Sequence, residues 1–258
     1  NHVKIRLMSK RVLYQWVGTE HMESFSSRCV LINRVLGMKE LDYEVIKAKI
    51  PTDTSYLEKE FKNLHTKWHF VVLQMLEEKI SGRDEILRTL DSRYPVPQLI
   101  SSNDLERAKQ ELYFEWAWDT LFWHCSYARW MDQENKNTLS EQILEGWNEE
   151  DRKKADGIVF PSISNFYKGR RVSEHPVSAV KEKLETMFEM LNGILEETGY
   201  FGGSKFGLSD LSIFSILLSI VSVDVRVKML LKKNERLAQW FISIDYESQT
   251  AHTKLFKL

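Results

Sequence analysis

Two serines, Ser24 and Ser26, lie in a turn between a predicted strand and a predicted helix. A hydroxyl group at a helix amino terminus can help to stabilise an anion, because free N–H groups and the helix dipole favour negative charge there. The same hydroxyls can instead simply cap the helix. Glu23 lies in the same turn, and a carboxylate there would repel a thiolate and raise its pKa. The turn thus combines candidate catalytic hydroxyls with a residue that opposes thiolate chemistry.

Gly82 and Arg83 stand at the start of another predicted helix. An arginine at this place can clamp a carboxylate through two parallel hydrogen bonds, assisted by the free N–H groups of the helix end. Alternatively, Arg83 forms a surface ion pair with Asp84, Glu85 or Glu23. Both interpretations stay open at the level of sequence.

Three other groups of side chains are weaker candidates for a functional site. His65 and His69 are four residues apart but have no third ligand nearby, so we predict no metal site. Cys29 falls inside the first predicted helix, where we expect it to be buried, whereas a redox role needs the thiol at the exit of the strand. The short basic cluster at residues 168–171 is typical of a solvated loop in a chain without excess positive charge.

The elements that must position these residues form two consecutive units. Residues 11–16 are β-branched and aromatic, residues 30–36 repeat apolar side chains at helical spacing, and residues 42–48 alternate as a strand does. This pattern predicts a βαβ unit. A second unit, residues 61–91, is predicted to run as strand, tight turn, short strand and helix.

The rest of the chain is predicted to be helical and to follow a stiff linker that contains Pro95 and Pro97. Asp210 is expected to accept a hydrogen bond from the backbone N–H of Gly207, as half of a capping box. One predicted helix is dense in aromatic residues: Tyr113, Phe114, Trp116, Trp118, Phe122, Trp123, Tyr127 and Trp130. Further helices are predicted at residues 139–147, 177–197, 208–223 and 235–244.

This order of elements resembles the glutathione transferase superfamily over nearly the whole chain. Residues 23–30, 86–95 and 200–211 carry the resemblance most directly. It implies an α+β protein of two domains, a thioredoxin-like βαβ-ββα domain followed by an all-helical domain. The implied boundaries are residues 9–94 for the first domain, 95–103 for a linker and 104–258 for the second domain.

The resemblance also implies glutathione as a ligand or substrate, and assigns roles to residues of this sequence. The thiolate-stabilising position falls on Glu23, with Ser24 or Ser26 as catalytic candidates if the loop shifts. The implied glutathione-binding residues are Phe25, Phe70, Val71, Val72, Gly82 and Arg83. The implied cleft for a hydrophobic co-substrate contains Tyr113, Trp116 and Trp123, although each ring can equally serve core or interdomain packing.

Several positions depart from the pattern that the resemblance implies. Val71 stands where a cis-proline is expected, and a non-proline cis bond costs about 2.5 to 4 kcal/mol, so we predict a trans bond and an altered peptide-pairing edge. Residues 65–68 replace the customary Asn-Pro-x-Gly approach to this strand. Gly82 and Arg83 replace the acidic residue and serine that normally hold a carboxylate.

Composition narrows the class of protein. A chain of 258 residues with 43% hydrophobic and 28% charged residues can bury one core in each of two domains. A formal net charge of -1 gives no electrostatic attraction to nucleic acid or to a membrane. The apolar run at residues 211–223 is interrupted by serines and is too short to span a bilayer, so it predicts a buried central helix.

Three further expectations concern the location, the native start and the oligomeric state of the protein. Its two cysteines lie in helical patterns, which favours a reducing compartment and a cytoplasmic location. Met8 is a plausible native start, and residues 1–7 show no signal-peptide pattern. By analogy with the superfamily, we expect a homodimer.

Two functional hypotheses remain. The first is a non-catalytic or weakly active binding or scaffold protein, with a small hydrophobic ligand or a protein partner, because Glu23, Val71 and Gly82-Arg83 alter three parts of one site. The second is an active transferase that conjugates glutathione to small hydrophobic electrophiles, with Ser24 or Ser26 steadying the sulfur and Arg83 holding the carboxylate.

Overall fold

The structure is a computed structural model that describes residues 11–48 and 70–258. Residues 11–48 and 70–93 form a sheet with two helices, termed the sheet part. Residues 104–247 form the helical part. Met8, His65 and His69, together with the start of the second predicted unit, lie outside the described residues.

A mixed sheet of four strands forms the centre of the sheet part. The strands are β1 (Arg11–Trp16), β2 (Glu44–Ala48), β3 (Val72–Met75) and β4 (Glu78–Ser81), in the spatial order β2-β1-β3-β4. Strand β1 is parallel to β2, with Leu13 opposite Val45, and antiparallel to β3, with Leu13 opposite Leu73. The predicted strands, and the tight turn between β3 and β4, are confirmed.

Two helices complete the sheet part, α1 (Ser27–Met38) and α2 (Arg83–Arg93), and they contact each other. Helix α1 is buried on nearly every side, and its buried residues include the polar Asn33 and Arg34. A helix that is buried all round must pack against elements on several sides. Here one side faces α2 and another faces the helical part, so α1 joins the two parts of the molecule.

The helical part contains nine helices within the described residues. They are α3 (Asp104–Trp116), α4 (Phe122–Met131), α5 (Gln133–Ile143), α6 (Glu149–Lys154), α7 (Phe160–Tyr167), α8 (Val177–Thr198), α9 (Leu208–Val221), α10 (Val225–Lys233) and α11 (Glu235–Glu247). Turns of π-helix at Ala117–Leu121 and Ala155–Val159 join α3 to α4 and α6 to α7. The aromatic-rich segment is therefore one helical run with a π-helical turn inside it.

The helix predicted at residues 139–147 has different bounds in the structure. Helix α5 begins at Gln133, because the side chain of Asp132 accepts hydrogen bonds from the N–H groups of Glu134 and Asn135. It ends at Ile143, and Gly146 follows in a turn with φ 72°. The sequence prediction missed α6, α7 and α10.

Helix α9 is the central buried helix that the sequence predicted. Every one of its residues is buried, and it contacts α1, α3, α4 and α11. Two of its serines satisfy their hydroxyls within the helix, as Ser215 Oγ donates to the carbonyl of Ser212 and Ser219 Oγ donates to that of Ile216. Among residues 11–48 and 70–258, no helix combines the length and apolar character that crossing a membrane requires.

Asp210 anchors the start of α9, as the sequence predicted. Its carboxylate accepts the N–H of Gly207 at 3.1 Å, and it also accepts the N–H of Phe201 and the indole N–H of Trp240, each at 2.9 Å. Burial raises the pKa of Asp210 from 3.8 to about 7, although these hydrogen bonds oppose the shift.

Replacing Asp210 by asparagine tests this anchor. The amide nitrogen of Asp210→Asn cannot accept a hydrogen bond, so one buried donor loses its partner and the free energy of unfolding should fall by about 1–3 kcal/mol near neutral pH. Urea unfolding followed by circular dichroism measures the change. The exposed aspartate variant Asp42→Asn is the control and should unfold like the wild type.

The pH dependence of the same comparison gives a second expectation. Because the pKa of Asp210 is higher in the folded than in the unfolded chain, the folded state holds the proton more tightly. The stability contribution of Asp210 should therefore fall as the pH rises from about 4 to about 7 and level off above that. Asparagine does not titrate, so the stability difference between wild type and Asp210→Asn should narrow over this range. A difference that does not vary with pH contradicts the raised pKa.

Candidate functional site

Glu23 points into the protein interior and not into a cleft. Its carboxylate binds Arg34 of α1, with Oε1 at 2.8 Å from Nε and Oε2 at 3.4 Å from Nη2, and both side chains are fully buried. The backbone carbonyl of Glu23 accepts a hydrogen bond from the side chain of Gln15 on β1. The expectation that this carboxylate would face and repel a bound thiolate is therefore wrong, because Arg34 holds it in the core.

Arg34 connects Glu23 to the carboxyl-terminal end of the chain. Its Nη1 lies 2.7 Å from Asp245 Oδ1 and donates to the Asp245 carbonyl at 2.9 Å. Its Nη2 also donates to the carbonyl of Lys254 at 3.3 Å. Burial raises the pKa of Asp245, and the nearby guanidinium opposes that shift. One guanidinium thus connects the turn before α1, helix α11 and the chain after it.

The two candidate serines occupy different environments. Ser24 is fully buried, and its Oγ accepts the backbone N–H of Ser26 at 3.2 Å. Ser26 occupies the N-cap position of α1, is partly exposed, and makes no side-chain capping bond. Of the two hydroxyls, that of Ser26 borders a cavity between the sheet part and the helical part. Ser27, which the sequence analysis did not single out, borders the same cavity.

Cys29 is buried, as predicted. Its Sγ donates a hydrogen bond to the carbonyl of Phe70 at 3.2 Å. Burial raises the pKa of the thiol, while hydrogen bonds from nearby groups, including Ser24 and Ser26, act in the opposite direction. A buried thiol with a raised pKa is a poor nucleophile, so its contact with Phe70 is structural.

The segment that enters β3 is buried, and two of its carbonyls are bonded within the fold. Phe70, Val71 and Val72 are buried, and the carbonyls of Phe70 and Val71 already accept hydrogen bonds from Cys29 Sγ and from the N–H of Gly82. Among the described residues the only cis peptide bond joins Val96 and Pro97, so the bond before Val71 is trans, as predicted.

Arg83 lies between the two parts of the molecule and follows Gly82, the N-cap of α2. Its Nε binds Asp84 Oδ1 at 2.7 Å, and its guanidinium lies 4.3 Å from the ring centre of Trp118 and 4.9 Å from that of Phe114. The side chain is only 14% exposed. The predicted ion pair with Asp84 is therefore present. The Arg83 side chain is not on the surface, as was expected, but lies beside aromatic rings.

Two further arginines lie close to this region. The guanidinium of Arg28 lies 4.8 Å from the ring centre of Phe122. Burial and the positive charge of Arg83 lower the pKa of Arg28 to about 10. Arg129 of α4 is buried, and burial lowers its pKa to about 9. Both guanidinium groups remain charged at neutral pH.

We call the space between α1, α4 and α7 the Ser26 cavity. Its volume is about 80 Å³. Its polar residues are Ser26, Ser27, Arg28, Ser126 and Arg129, and its aromatic walls are Trp16, Phe25, Phe122, Trp130, Phe166 and Tyr167. The sequence analysis missed Arg129. The sequence contains one indication of its role: Arg129 is a cationic residue in the middle of an apolar, aromatic run. Such a position indicates a buried charge.

The three residues expected to form a hydrophobic cleft do not line this cavity. Tyr113 packs edge-on against Phe201, with ring centres 5.7 Å apart. Trp123 stacks on Phe166 at 5.4 Å and lies under Arg170, on the border of a separate groove. Trp116 is partly buried against the core. None of the three lines the Ser26 cavity and Trp123 borders a separate groove, so their role in a co-substrate cleft stays a prediction.

The glutathione-binding residues implied by the sequence are only partly brought together. Phe25 contributes a wall of the Ser26 cavity, where its ring meets Trp130 at 6.4 Å. Gly82 and Arg83 lie at the start of α2. Arg83 is close enough to Arg28, which lines the Ser26 cavity, to lower its pKa. Among the described residues, no group of three histidine, cysteine, aspartate or glutamate side chains could hold a metal ion.

Comparison with known proteins identifies the fold. No protein-family model matches this chain, and no curated protein matches it. The glutathione transferase GSTFuA3 from Phanerochaete chrysosporium is 15% identical, with a TM-score of 0.70 and coverage of 94% of this chain and 98% of its own. The beta-etherase LigF from Sphingobium sp. strain SYK-6 is 16% identical, with a TM-score of 0.65 and coverage of 91% and 94%.

A third solved structure carries a ligand. The glutathione transferase URE2P8 from Phanerochaete chrysosporium, solved with oxidized glutathione, is 14% identical to this chain, with a TM-score of 0.56 and coverage of 91% and 88%. At these identities the likenesses establish the fold and not the activity.

The position of Glu23 makes a direct prediction about stability. Glu23→Gln removes one charge of a buried ion pair and leaves Arg34 less compensated, so the free energy of unfolding should fall by about 3 kcal/mol. Urea unfolding of the variant measures this loss. Glu20→Gln, which changes an exposed carboxylate in the same turn, is the control and should change stability little. A Glu23→Gln protein as stable as the wild type would show that the carboxylate faces solvent.

Proposed function

We propose that this chain, which has the glutathione transferase fold, is a ligand-binding protein that does not conjugate glutathione. One observation carries the proposal. The carboxylate at the position implied for thiolate stabilisation, Glu23, is buried in an ion pair with Arg34. It therefore supplies no hydroxyl or other donor to a sulfur, and a thiolate without such a donor is not held in its reactive, ionised form.

The entrance of β3 supports the same proposal. A bound thiol peptide needs main-chain groups with which to pair, but the carbonyls of Phe70 and Val71 already accept hydrogen bonds within the fold. Both residues are also fully buried. A peptide would have to share these carbonyls with Cys29 and Gly82, through the second lone pair of each oxygen.

The alternative, an active glutathione transferase acting on small hydrophobic electrophiles, has one observation in its favour. The hydroxyl of Ser26 makes no capping bond, lies at the amino terminus of α1, and borders a cavity that also contains Arg28. A sulfur placed there would meet a hydroxyl, the positive end of a helix dipole and a cation. This arrangement makes Ser26, and not the buried Ser24, the catalytic candidate.

Glutathione binding and turnover separate the two functions. We expect no retention on immobilised glutathione and no conjugation of 1-chloro-2,4-dinitrobenzene, because the sulfur finds no activating contact. Calorimetry with free glutathione and the absorbance of the conjugate measure the two properties.

The variant Ser26→Ala sharpens the comparison. If the wild type does conjugate glutathione, and Ser26→Ala lowers kcat by about tenfold or more with little change in unfolding, the alternative is correct and the non-catalytic proposal fails. The control is Ser173→Ala, which changes a partly exposed serine in the short 3-10 helix before α8 and outside the Ser26 cavity.

We also propose a cytoplasmic homodimer. Cys29 and Cys125 are both unpaired and buried, which suits a reducing compartment. Leu105 and Leu112 are each about two-thirds exposed on α3, and their spacing of seven residues places them on one face of the helix. An apolar face of this kind suits a contact with a second copy.

Light scattering tests the dimer. We expect a mass twice that of the chain, and Leu112→Glu should shift the protein to the mass of a monomer because it places a charge in the contact. Leu255→Glu changes an exposed leucine elsewhere and should leave the mass unchanged. A monomeric wild type contradicts the proposal.

A further inference from the structure

We propose that the Ser26 cavity binds a small aryl carboxylate, whose carboxylate group pairs with the buried guanidinium of Arg129. This inference rests on the proposed function, since it names the class of ligand that the cleft takes in place of a conjugation substrate. The inference depends on Arg129 of α4 in the helical part. The proposed function depends on Glu23 and on the segment that enters β3.

Arg129 is the observation from which the inference starts. Its side chain is 3% exposed. Nη1 donates to the carbonyl of Phe25 at 2.6 Å, but Nε and Nη2 are buried and have no hydrogen-bond partner among the described residues. A buried guanidinium that lacks both a counter-ion and partners for its donors is strongly disfavoured. An anion in the adjoining cavity supplies both.

The electrostatic setting favours a negative ligand over a neutral one. Arg28 lines the same cavity, and Arg83 lies close enough to lower the pKa of Arg28. The acidic group nearest to these arginines is Asp84, which already binds Arg83. Tyr167, the remaining titratable group at the cavity, is neutral because burial raises its pKa, and its hydroxyl pairs with that of Ser126.

The amino terminus of α1 adds further anion-binding groups, close to the Phe25 carbonyl that Arg129 binds. Ser26 and Ser27 stand at the amino terminus of α1, a helix of 12 residues whose first turn carries no acidic side chain. The unpaired N–H groups of that turn and the helix dipole both favour negative charge. The guanidinium and the helix end thus offer a carboxylate donors from two elements that line the same cavity.

The rest of the cavity determines what the carboxylate is attached to. Its walls are aromatic, with Trp16 stacked on Phe25 and Trp130 lying edge-on to the same ring. A strongly hydrated dianion such as inorganic phosphate would lose its water against these rings, whereas a flat apolar group gains from contact with them. The cavity volume of about 80 Å³ is below the roughly 150 Å³ of a cavity that encloses a benzene ring, so the carboxylate enters while the ring stays partly at the mouth, beside the partly exposed Ser26 and Arg28.

Benzoate and benzamide provide a matched pair of probes, because they share ring and shape and differ in charge. Binding is measured by the change in tryptophan fluorescence, since Trp16 and Trp130 line the cavity, and by the shift of the thermal midpoint. We expect benzoate to bind roughly tenfold more tightly than benzamide at neutral pH. Equal binding of the two probes, or no binding of benzoate, overturns the proposal in the wild-type protein alone.

Variants locate the binding group. Arg129→Met keeps a long side chain without the charge and should weaken benzoate binding by roughly tenfold, with little effect on benzamide. Arg129→Lys keeps the charge and should restore part of the affinity. Arg152→Met is the matched control, because Arg152 also donates to backbone carbonyls, those of Trp147 and Leu144, but lies outside the cavity. A folded Arg129→Met protein that binds benzoate like the wild type overturns the proposal.

The readouts keep this inference separate from the proposed function. If the protein conjugates glutathione but binds benzoate through Arg129, the non-catalytic assignment fails and the anion site stands. If it neither conjugates glutathione nor distinguishes benzoate from benzamide, the anion site fails and the binding-protein proposal stands. Should Arg129→Met fail to fold, the comparison of the two probes in the wild type still decides.

Discussion

The buried ion pair between Arg34 and Glu23, with Asp245 as a third member, is the interaction on which the arrangement of this molecule depends. Charges in a protein interior are tolerated only when they are paired and hydrogen-bonded, so these groups must be held in one geometry. That geometry fixes the turn before α1, the helix itself and α11 relative to one another. It also removes the Glu23 carboxylate from the cleft, and so decides which groups a ligand can meet.

With that carboxylate withdrawn, positive charge dominates the space between the two parts. Arg28, Arg83 and Arg129 all lie beside aromatic rings, which accommodate a guanidinium through cation–π contacts where water is excluded. Arg83 has a carboxylate partner in Asp84, whereas Arg129 has one backbone carbonyl. Arg129 therefore keeps Nε and Nη2 without hydrogen-bond partners among the described residues, and the proposed anion binding depends on this group.

Local patterns were sufficient to predict much of the fold. The β-branched and aromatic run of β1, the alternation of β2 and the apolar run of α9 are patterns set by neighbouring positions in the sequence. The contact of Asp210 with Gly207 was also predictable, since its partners are three residues apart. The bounds of α5 were not predicted correctly. The apolar periodicity begins at Leu139, whereas the helix itself begins six residues earlier, after the N-cap Asp132.

The sequence by itself determined the order of the strands and of most helices, the buried character of Cys29 and α9, and the trans bond before Val71, because each depends on short-range backbone and side-chain preferences. The tertiary structure decided where the charges of the cleft lie. Glu23 faces Arg34, and Arg34 faces Asp245, which is 211 residues away along the chain. Arg129 meets Phe25 across 104 residues. Contacts at such separations depend on how whole helices pack, and no local pattern carries that information.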